Sequence, residues 1–143
     1  MNTNRMVKDY IQTARDCLEQ ANQCFQRGNY NMTVRRAQEC VEMSLKATLR
    51  LLSIEYPYRH DVGDVIESLQ EKKLPKWFLE QIPWFVEISR KLSKKRGPAM
   101  YGYESELRPA TEIFDTEDAK DALESADKVF KACEKIISEF TEK

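Results

Sequence analysis

Apolar and small residues recur at every third or fourth position between Gly28 and Leu52, which is the spacing of a buried helix face. They cover more than half of the helix circumference, whereas a surface helix needs an apolar stripe only about 100° wide. We therefore predict a central helix with neighbours on at least two sides. Its apolar face consists of Val34, Ala37, Cys40, Val41, Leu45, Ala47, Thr48, Leu51, Leu52 and Ile54.

The polar positions of this central helix form a narrow strip, in which Glu42 and Lys46 have the favoured order of an i,i+4 ion pair. A charged strip on an amphipathic helix ordinarily faces water, so we predict that it is solvent-exposed. Arg36 falls at the edge of the apolar face, and its guanidinium must therefore reach solvent or find an acceptor. The strip consists of Arg35, Glu39, Glu42, Lys46, Arg50 and Ser53.

A second periodic segment precedes the central helix and predicts a helix from about Thr3 to Arg27. Gly28 then stands where a left-handed helix cap is common, and Asn29 tolerates the same backbone conformation. Because so short a connection leaves little freedom, we expect the first two helices to form an antiparallel hairpin.

Downstream of the central helix, Pro57 and neighbouring polar rings interrupt the helical pattern. Asp61 is then predicted to cap a short third helix. A fourth helical region is expected to break or restart at Pro83 and to end near the basic segment that begins at Arg90. This basic segment leads into a predicted loop that reaches about Asp115.

The last periodic segment predicts a helix from Thr116 to about Phe140, capped by Thr116 or Asp115. No stretch of the chain shows the alternating pattern of a strand. The sequence thus predicts an all-α fold, an antiparallel up-and-down bundle of about five helices, in a single domain covering residues 1–143.

Composition narrows the possible functions of this 143-residue chain. A formal net charge of -1 excludes a uniformly basic nucleic-acid binder but permits a local basic patch. The four cysteines lie in apolar helical stripes without close ligand spacing, so reduced core thiols are favoured over a disulfide or a metal site. They are Cys17, Cys24, Cys40 and Cys133.

The N-terminal residues Met1–Met6 open into an amphipathic pattern rather than into the apolar core of a signal peptide. No apolar run in the sequence is long enough to span a bilayer. Together with the predicted reduced cysteines, these features lead us to expect a cytoplasmic protein with no membrane association.

The segment 90–103 combines five cationic side chains with two tyrosines and is the strongest candidate binding site in the sequence. Guanidinium groups beside aromatic rings suit phosphate binding and base stacking. Cations also stabilise a helix C-terminus on their own, so a solvated charge run remains an alternative. The candidate residues here are Lys94, Lys95, Arg96, Tyr101 and Tyr103, and Arg36 of the central helix is expected to point toward them.

His60 is the single histidine, which excludes a metal site built from several histidines. Two interpretations of His60 stay open: a packing residue at a loop-to-helix junction, or a proton donor and nucleotide contact. Glycine spacing of the Walker or Rossmann type and a nucleophile elbow do not occur. We predict neither a metal nor a cofactor.

Several short motifs, in this order and spacing, resemble the HEPN domain family, and the similarity extends from about Tyr10 to Phe140. The resemblance implies a helical bundle that commonly dimerises, often encoded beside a minimal nucleotidyltransferase in toxin-antitoxin or related defence systems. The motifs are Gly28-Asn29-Tyr30, Ala37, Glu42, Leu45-Lys46-Ala47, His60-Asp61, Arg96 with Ala99, Tyr101-Gly102, and Thr116-Glu117-Asp118-Ala119.

Active members of that family are metal-independent endoribonucleases whose motif is an arginine followed four to six residues later by a histidine. Arg96 matches the arginine, but Tyr101 stands where the histidine is expected, and Gly97 replaces the polar residue that often follows the arginine. A phenol has an unperturbed pKa near 10 and an imidazole one near 6.5, so a tyrosine is poorly suited to shuttling protons at neutral pH.

The resemblance therefore implies a stand-alone, dimeric module that associates with a nucleotide or RNA and acts as the partner of a separate minimal nucleotidyltransferase. Its ribonuclease histidine is missing. One alternative is a metal-independent, toxin-like endoribonuclease that uses Arg96 with Tyr101 or His60. A second alternative is a purely structural dimeric partner protein.

Overall fold

The computed structural model describes residues 3–141, with the backbone alone for Thr3; the outermost residues of the predicted domain, 1–2 and 142–143, lie outside this range. The described residues form helices and contain no strand, only a single bridge between Tyr103 and Arg108. The all-α prediction is confirmed. The α-helices are α1 (Thr3–Gln26), α2 (Tyr30–Leu51), α3 (Gly63–Glu67), α4 (Lys76–Leu79), α5 (Ile82–Tyr101) and α6 (Thr116–Thr141).

The predicted hairpin of α1 and α2 turns at Gly28, whose φ of +73° is in the left-handed region that favours glycine. Asn29 does not share this conformation. It has φ -91° and acts as the N-cap of α2, with its side chain accepting a hydrogen bond from the Met32 backbone N–H. Gly28 therefore ends α1, and the adjacent Asn29 starts α2.

Helix α2 is the centre of the bundle and packs against α1, α5 and α6, as its wide apolar face predicts. It runs antiparallel to α5, because Asn31 near its start contacts the carbonyl of Ala99 near the end of α5. It runs parallel to α6, because the Cys40 thiol lies 3.9 Å from the carbonyl of Ala126 and Thr48, further along α2, contacts the thiol of Cys133, further along α6. The long helices thus form an up-and-down bundle, and α3 and α4 lie in the connection between α2 and α5.

The polar strip of α2 is not solvent-exposed, so that prediction is wrong for its main members. The side chains of Arg35, Glu39, Glu42 and Lys46 are only 14%, 21%, 12% and 11% exposed. The C-terminal half of α5 lies against the first part of the strip, and segment 56–60 lies against the second. Charges in these positions must find partners within the protein.

The predicted start of the loop after the basic segment is also wrong, because α5 continues through Gly97 and Pro98 to Tyr101. Pro98 lacks a backbone N–H, and its ring crowds the carbonyl four residues earlier, so this last turn is disfavoured on its own. Asn31 of α2 donates to the Ala99 carbonyl at 3.0 Å, which satisfies a group that the helix end leaves without a partner. Contacts from α2 therefore support one further helical turn.

Helix α5 ends at Gly102, where φ is +71° and a Cβ atom would lie 2.2 Å from the Arg108 carbonyl oxygen. The remaining residues up to α6 contain two 3₁₀ turns, Glu104–Glu106 and Ala110–Glu112. Asp115 then caps α6 by accepting the Asp118 N–H at 2.9 Å, as predicted.

Asp61 supports the start of α3 from one residue before its N-cap, Val62. Its Oδ1 atom accepts the Gly63 backbone N–H at 2.9 Å and the Ser89 hydroxyl of α5 at 2.8 Å. The predicted capping residue therefore also ties the 55–62 connection to α5, next to His60.

All four cysteines are free thiols, and no group of residues in the described part of the chain could hold a metal ion. Within residues 3–141, no helix combines the length and the apolar character that a bilayer span requires.

Candidate functional site

Three arginine side chains converge on the single carboxylate of Glu39. Arg36 Nη1 donates to it at 2.6 Å, and Arg35 Nε and Arg96 Nη1 lie 3.4 Å and 3.6 Å from its oxygens. Arg35 Nε is buried and has no hydrogen-bond partner in the described structure. One carboxylate cannot neutralise or fully hydrogen-bond three guanidinium groups, so this cluster has spare positive charge and spare donors.

The helical period of α2 brings Glu39 next to both arginines, because it follows Arg36 by three positions and Arg35 by four. Arg96 approaches them from the antiparallel helix α5. Arg35 Nη1 also donates to the backbone carbonyl of Arg96 at 2.8 Å, which fixes the two helices relative to each other. The cluster therefore needs both helices in this arrangement.

A second carboxylate, Glu42, lies one turn further along α2 and accepts three hydrogen bonds. Its donors are Lys46 Nζ at 2.8 Å, Gln38 Nε2 at 3.0 Å and His60 Nδ1 at 2.9 Å. Burial alone would raise the pKa of Glu42, but the bonds from Lys46 and Gln38 and the nearby positive charge outweigh it, so its pKa is lowered. Glu42 is thus held as a carboxylate.

Gln38 joins the two carboxylate clusters through a buried side-chain amide, which is 1% exposed. Its Oε1 atom accepts from Arg96 Nη1 at 2.7 Å, while its Nε2 atom donates to Glu42. A continuous hydrogen-bonded chain therefore runs from Arg96 through Gln38 and Glu42 to His60.

A groove of about 280 Å³ borders these clusters between α1, α2 and α5. Four cationic side chains pair with its two carboxylates. Arg96 lines the groove, whereas Arg35, Arg36 and Lys46 lie beside it, so the excess positive charge belongs to the whole cluster rather than to the groove lining. Such an arrangement attracts anions. The lining residues are Thr13, Cys17, Glu39, Glu42, Met43 and Arg96.

Cys17 is the cysteine that borders the groove, and its chemistry is that of a thiol. Burial raises its pKa to about 11, and the negative charge of Glu39 adds to the effect. A nucleophilic cysteine requires a lowered pKa. Cys17 is therefore not a nucleophile in this groove.

Of the residues predicted as site candidates, the structure brings Arg96, Arg36 and His60 together around one polar network. Tyr101 lies apart, since five positions along a helix correspond to about 140° of rotation from Arg96. Its side chain is 67% exposed. Tyr101 and Arg96 therefore do not point to the same side of α5.

The other candidates of the basic segment also lie outside the groove. Lys94 is exposed and Lys95 is partly buried, and neither makes an ion pair with the described residues. Tyr103 packs its ring under the Arg108 guanidinium at 5.7 Å. The basic-aromatic segment thus contributes one residue, Arg96, to the groove.

Sequence reasoning assigned Arg35, Glu39 and Glu42 to a solvated strip, although they are central to the site, and it did not single out Gln38. Charges at i,i+4 spacing look the same on an exposed helix and on one covered by a second helix. The family resemblance gave one indication that this strip has a role in the site, because its motif residues include Glu42 and Lys46.

The fold and the groove define a class: an all-helical up-and-down bundle in which a groove beside the central helix borders a cluster of arginines and carboxylates. The family model of the HEPN domain matches residues 7–136. The chain therefore belongs to the HEPN domain family, as its motifs predict.

Two solved structures have the same fold. The protein TT1696 from Thermus thermophilus is 26% identical, with a TM-score of 0.72 over 94% of this chain and 98% of that one. ST0689, an archaeal HEPN homologue, is 22% identical, with a TM-score of 0.67 over 92% of this chain and 97% of its own. No curated protein matches the chain.

Proposed function

We propose that this HEPN domain protein binds the phosphate groups of a nucleotide or of RNA at the arginine cluster beside the groove between α1, α2 and α5. The observation that carries the proposal is the convergence of Arg35, Arg36 and Arg96 on the one carboxylate of Glu39. Guanidinium groups present parallel N–H donors that match phosphate oxygens, and they remain charged at any physiological pH.

The test compares binding of a nucleotide and of a short single-stranded RNA to the wild type and to Arg96→Ala. We expect roughly ten- to hundredfold weaker binding in the variant, the effect of losing one charge-assisted hydrogen bond. Arg90→Ala is the matched control, because it removes an exposed arginine from the same helix. Equal binding by Arg96→Ala and the wild type would contradict the proposal.

We further propose that the protein forms a homodimer and acts in the cytoplasm as the partner of a separate minimal nucleotidyltransferase. Exposed apolar side chains at the end of α5 support a protein-binding surface there: Met100 is 39% exposed, Tyr101 67% and Leu107 89%. Sedimentation at micromolar concentration tests the dimer, and a monomer would contradict it. Co-purification with the product of an adjacent nucleotidyltransferase gene tests the partner.

A second candidate function is metal-independent RNA cleavage that uses Arg96 with His60 rather than Tyr101. His60 is linked to Arg96 through Glu42 and Gln38. Glu42 accepts from His60 Nδ1 at 2.9 Å, so a neutral ring carries its proton there and leaves Nε2 as a base. A ribose 2′-hydroxyl would attack the adjacent phosphorus and give its proton to Nε2. The P–O5′ bond would break, and the leaving oxygen would take a proton from water.

RNA cleavage in the presence of a chelator distinguishes this second function from binding alone. Cleavage that disappears in both His60→Ala and Arg96→Ala would favour it, and cleavage that survives both substitutions would indicate a contaminant. A protein that binds neither nucleotide nor RNA but still dimerises would favour the purely structural role.

A further inference from the structure

We infer that the groove takes a nucleobase and that Glu39 and Arg96, which line it, make it selective for guanine. The phosphate of the same nucleotide then lies at the arginine cluster beside the groove. This inference rests on the proposed phosphate-binding function and names the base of its ligand. It applies to a free nucleotide and to a guanosine within RNA, because both present the same base.

The groove has the size of a single ring system. Its volume is about 280 Å³, whereas small-molecule pockets range from roughly 300 to 1,000 Å³. Arg96 lines the groove, and Arg35 and Arg36 lie beside it, around the carboxylate of Glu39. A nucleotide can therefore place its base in the groove and its phosphate next to it at the arginines.

Glu39 and Arg96 offer an acceptor and a donor side by side. Glu39 Oε2 and Arg96 Nη1 are 3.6 Å apart, which is too long for a hydrogen bond between them. Within the described residues, Glu39 accepts one hydrogen bond, at Oε1 from Arg36, and Arg96 donates one side-chain hydrogen bond, to Gln38. Both side chains are 21% exposed. An acceptor oxygen and several guanidinium N–H groups therefore remain accessible to a ligand.

Glu42 also lines the groove, but its carboxylate is already used within the protein. Its oxygens accept from Lys46, Gln38 and His60 at 2.8 to 3.0 Å. Glu39 is therefore the carboxylate that is left for a base in the groove.

The Watson–Crick edge of guanine matches this donor and acceptor pair. It presents a carbonyl oxygen followed by two N–H donors, N1–H and the N2 amino group. The carbonyl oxygen can accept from Arg96, and the two N–H groups can donate to the two oxygens of the Glu39 carboxylate. Oε1 can take part because an ionised carboxylate oxygen accepts a second hydrogen bond besides the one from Arg36.

The other three bases fit this pair less well, because each directs an acceptor toward the carboxylate. Adenine and cytosine have one amino group beside an unprotonated ring nitrogen, and uracil has one N–H between two carbonyl groups. A lone pair that faces a carboxylate oxygen forms no hydrogen bond and is repelled by its charge. Glu39 therefore favours guanine both by pairing with it and by rejecting the alternatives.

Cys17 of α1 and Met43 of α2 provide apolar lining for a flat ring. Burial raises the pKa of Cys17 to about 11, so this side chain is an uncharged thiol at neutral pH. The thioether of a methionine makes favourable contacts with aromatic rings. The groove thus combines apolar lining with a few polar groups, which is the usual composition of a small-ligand site.

The experiment measures the affinity of the full chain for the 5′-monophosphates of guanosine, adenosine, cytidine, uridine and inosine. Inosine has the guanine edge without the N2 amino group. A parallel arm compares two short oligouridine RNAs that carry one guanosine or one adenosine at the same position, which separates a base within RNA from a free nucleotide. We expect the wild type to favour guanine over adenine by roughly five- to hundredfold in at least one arm, the factor of one bidentate pair.

Glu39→Gln replaces one acceptor oxygen by an N–H donor, which opposes the N–H donors of guanine. The ratio of guanine to adenine affinity should fall toward one, and the advantage of guanosine over inosine monophosphate should disappear. Because the readout is a ratio, it is insensitive to a general change in phosphate binding. If Glu39→Gln does not fold, as judged by circular dichroism, Glu39→Asp takes its place and should lower the ratio by retracting the carboxylate.

Glu134→Gln is the matched control, because it also removes a carboxylate that pairs with an arginine, Arg15, but between α1 and α6. This control should keep the wild-type ratio. Equal affinity of the wild type for guanine and adenine in both arms would overturn the inference but leave phosphate binding intact. An unchanged ratio in the Glu39 variant would overturn the role of Glu39. Binding of none of these ligands would overturn the proposed function and the inference with it.

Discussion

The two halves of helix α2 use arginine in different ways. In the N-terminal half, Arg35 and Arg36 share one carboxylate with Arg96, and donors are left over. In the C-terminal half, Arg50 lies 5.0 Å from the ring of Tyr10 and 5.7 Å from that of Tyr56, and its Nε donates to the Tyr56 hydroxyl at 3.0 Å. The first cluster places three guanidinium groups around one carboxylate, whereas the second places one guanidinium between two tyrosine rings.

This difference teaches that a charged side chain on one helix does not reveal its role by its residue type. An arginine between aromatic rings stabilises the fold through cation–π contact and a hydrogen bond. Arginines in excess over carboxylates at a groove provide an anion site. Each prediction below tests one side of this contrast.

The largest effect is expected for Gln38→Leu in the N-terminal half. The substitution leaves Arg96 Nη1 and one Glu42 oxygen without the buried amide that bonds to both. Loss of a buried partner to charged groups should lower the free energy of unfolding by about 2–4 kcal/mol. Urea denaturation measures this change, with Gln20→Leu on the exposed face of α1 as the control. A loss below about 1 kcal/mol would show that the network is not structurally coupled.

Arg50→Ala tests the C-terminal half and should lower stability by about 1–2 kcal/mol, the combined effect of its ring contacts and its hydrogen bond to Tyr56. Nucleotide and RNA binding should stay at the wild-type level, in contrast to Arg96→Ala. Thermal unfolding and the same binding titration give both readouts. A variant of wild-type stability with weakened binding would reverse the assignment of the two halves.

Glu42 should make the stability of the fold pH-dependent on the acid side. Its pKa is lowered in the folded state, so its contribution is fully present above the unfolded value near 4.5 and is lost as the pH falls through the lower folded pKa. Stability of the wild type should therefore fall more steeply below pH 5 than that of Glu42→Gln. Urea midpoints between pH 3 and pH 7 measure the difference.

Glu67→Gln is the control for this pH profile, because Glu67 is exposed on α3. It should keep the slope of the wild type. Equal slopes for all three proteins would show that the partners of Glu42 do not stabilise its carboxylate in the folded state.

The smallest effect is expected for Ser53→Gly, just beyond the C-terminus of α2. Ser53 has φ +57°, and the next N–H, of Ile54, donates to the Leu49 carbonyl at 2.9 Å. Glycine adopts this conformation without the penalty of a side chain, so stability should rise by about 1 kcal/mol. Calorimetry measures the gain, and Ser105→Gly, at a residue with ordinary φ, should give none. Binding should not change in either variant.

The fold was predictable because its signals are local. Helical periodicity marked the buried face of α2, Gly28 marked the turn and Asp115 the start of α6. The start of the loop after α5 was not predictable, because the turn that carries Pro98 is supported by Asn31, a residue of another helix. The preference of Gly97 and Pro98 for a helix end was therefore overridden by a tertiary contact.

The candidate site was predictable only in part, for a similar reason. Arg96, Arg36 and His60 were singled out by residue type and by the family resemblance, and they do join one network. Tyr101 was singled out by its distance from Arg96 along the chain. Five residues along a helix, however, place the two side chains on different sides.

The sequence by itself determined that the chain is all-α, that α2 is its central helix and that it belongs to the HEPN family. These properties follow from periodicity and short motifs, which act over a few residues. Only the tertiary structure decided that the charged strip of α2 is covered and that Glu39 meets three arginines. Arg35 and Arg96 are separated by 61 positions, and only the antiparallel packing of α2 and α5 brings them into contact. Whether a helical charge faces water or a binding groove depends on its partner helix, which the local pattern does not specify.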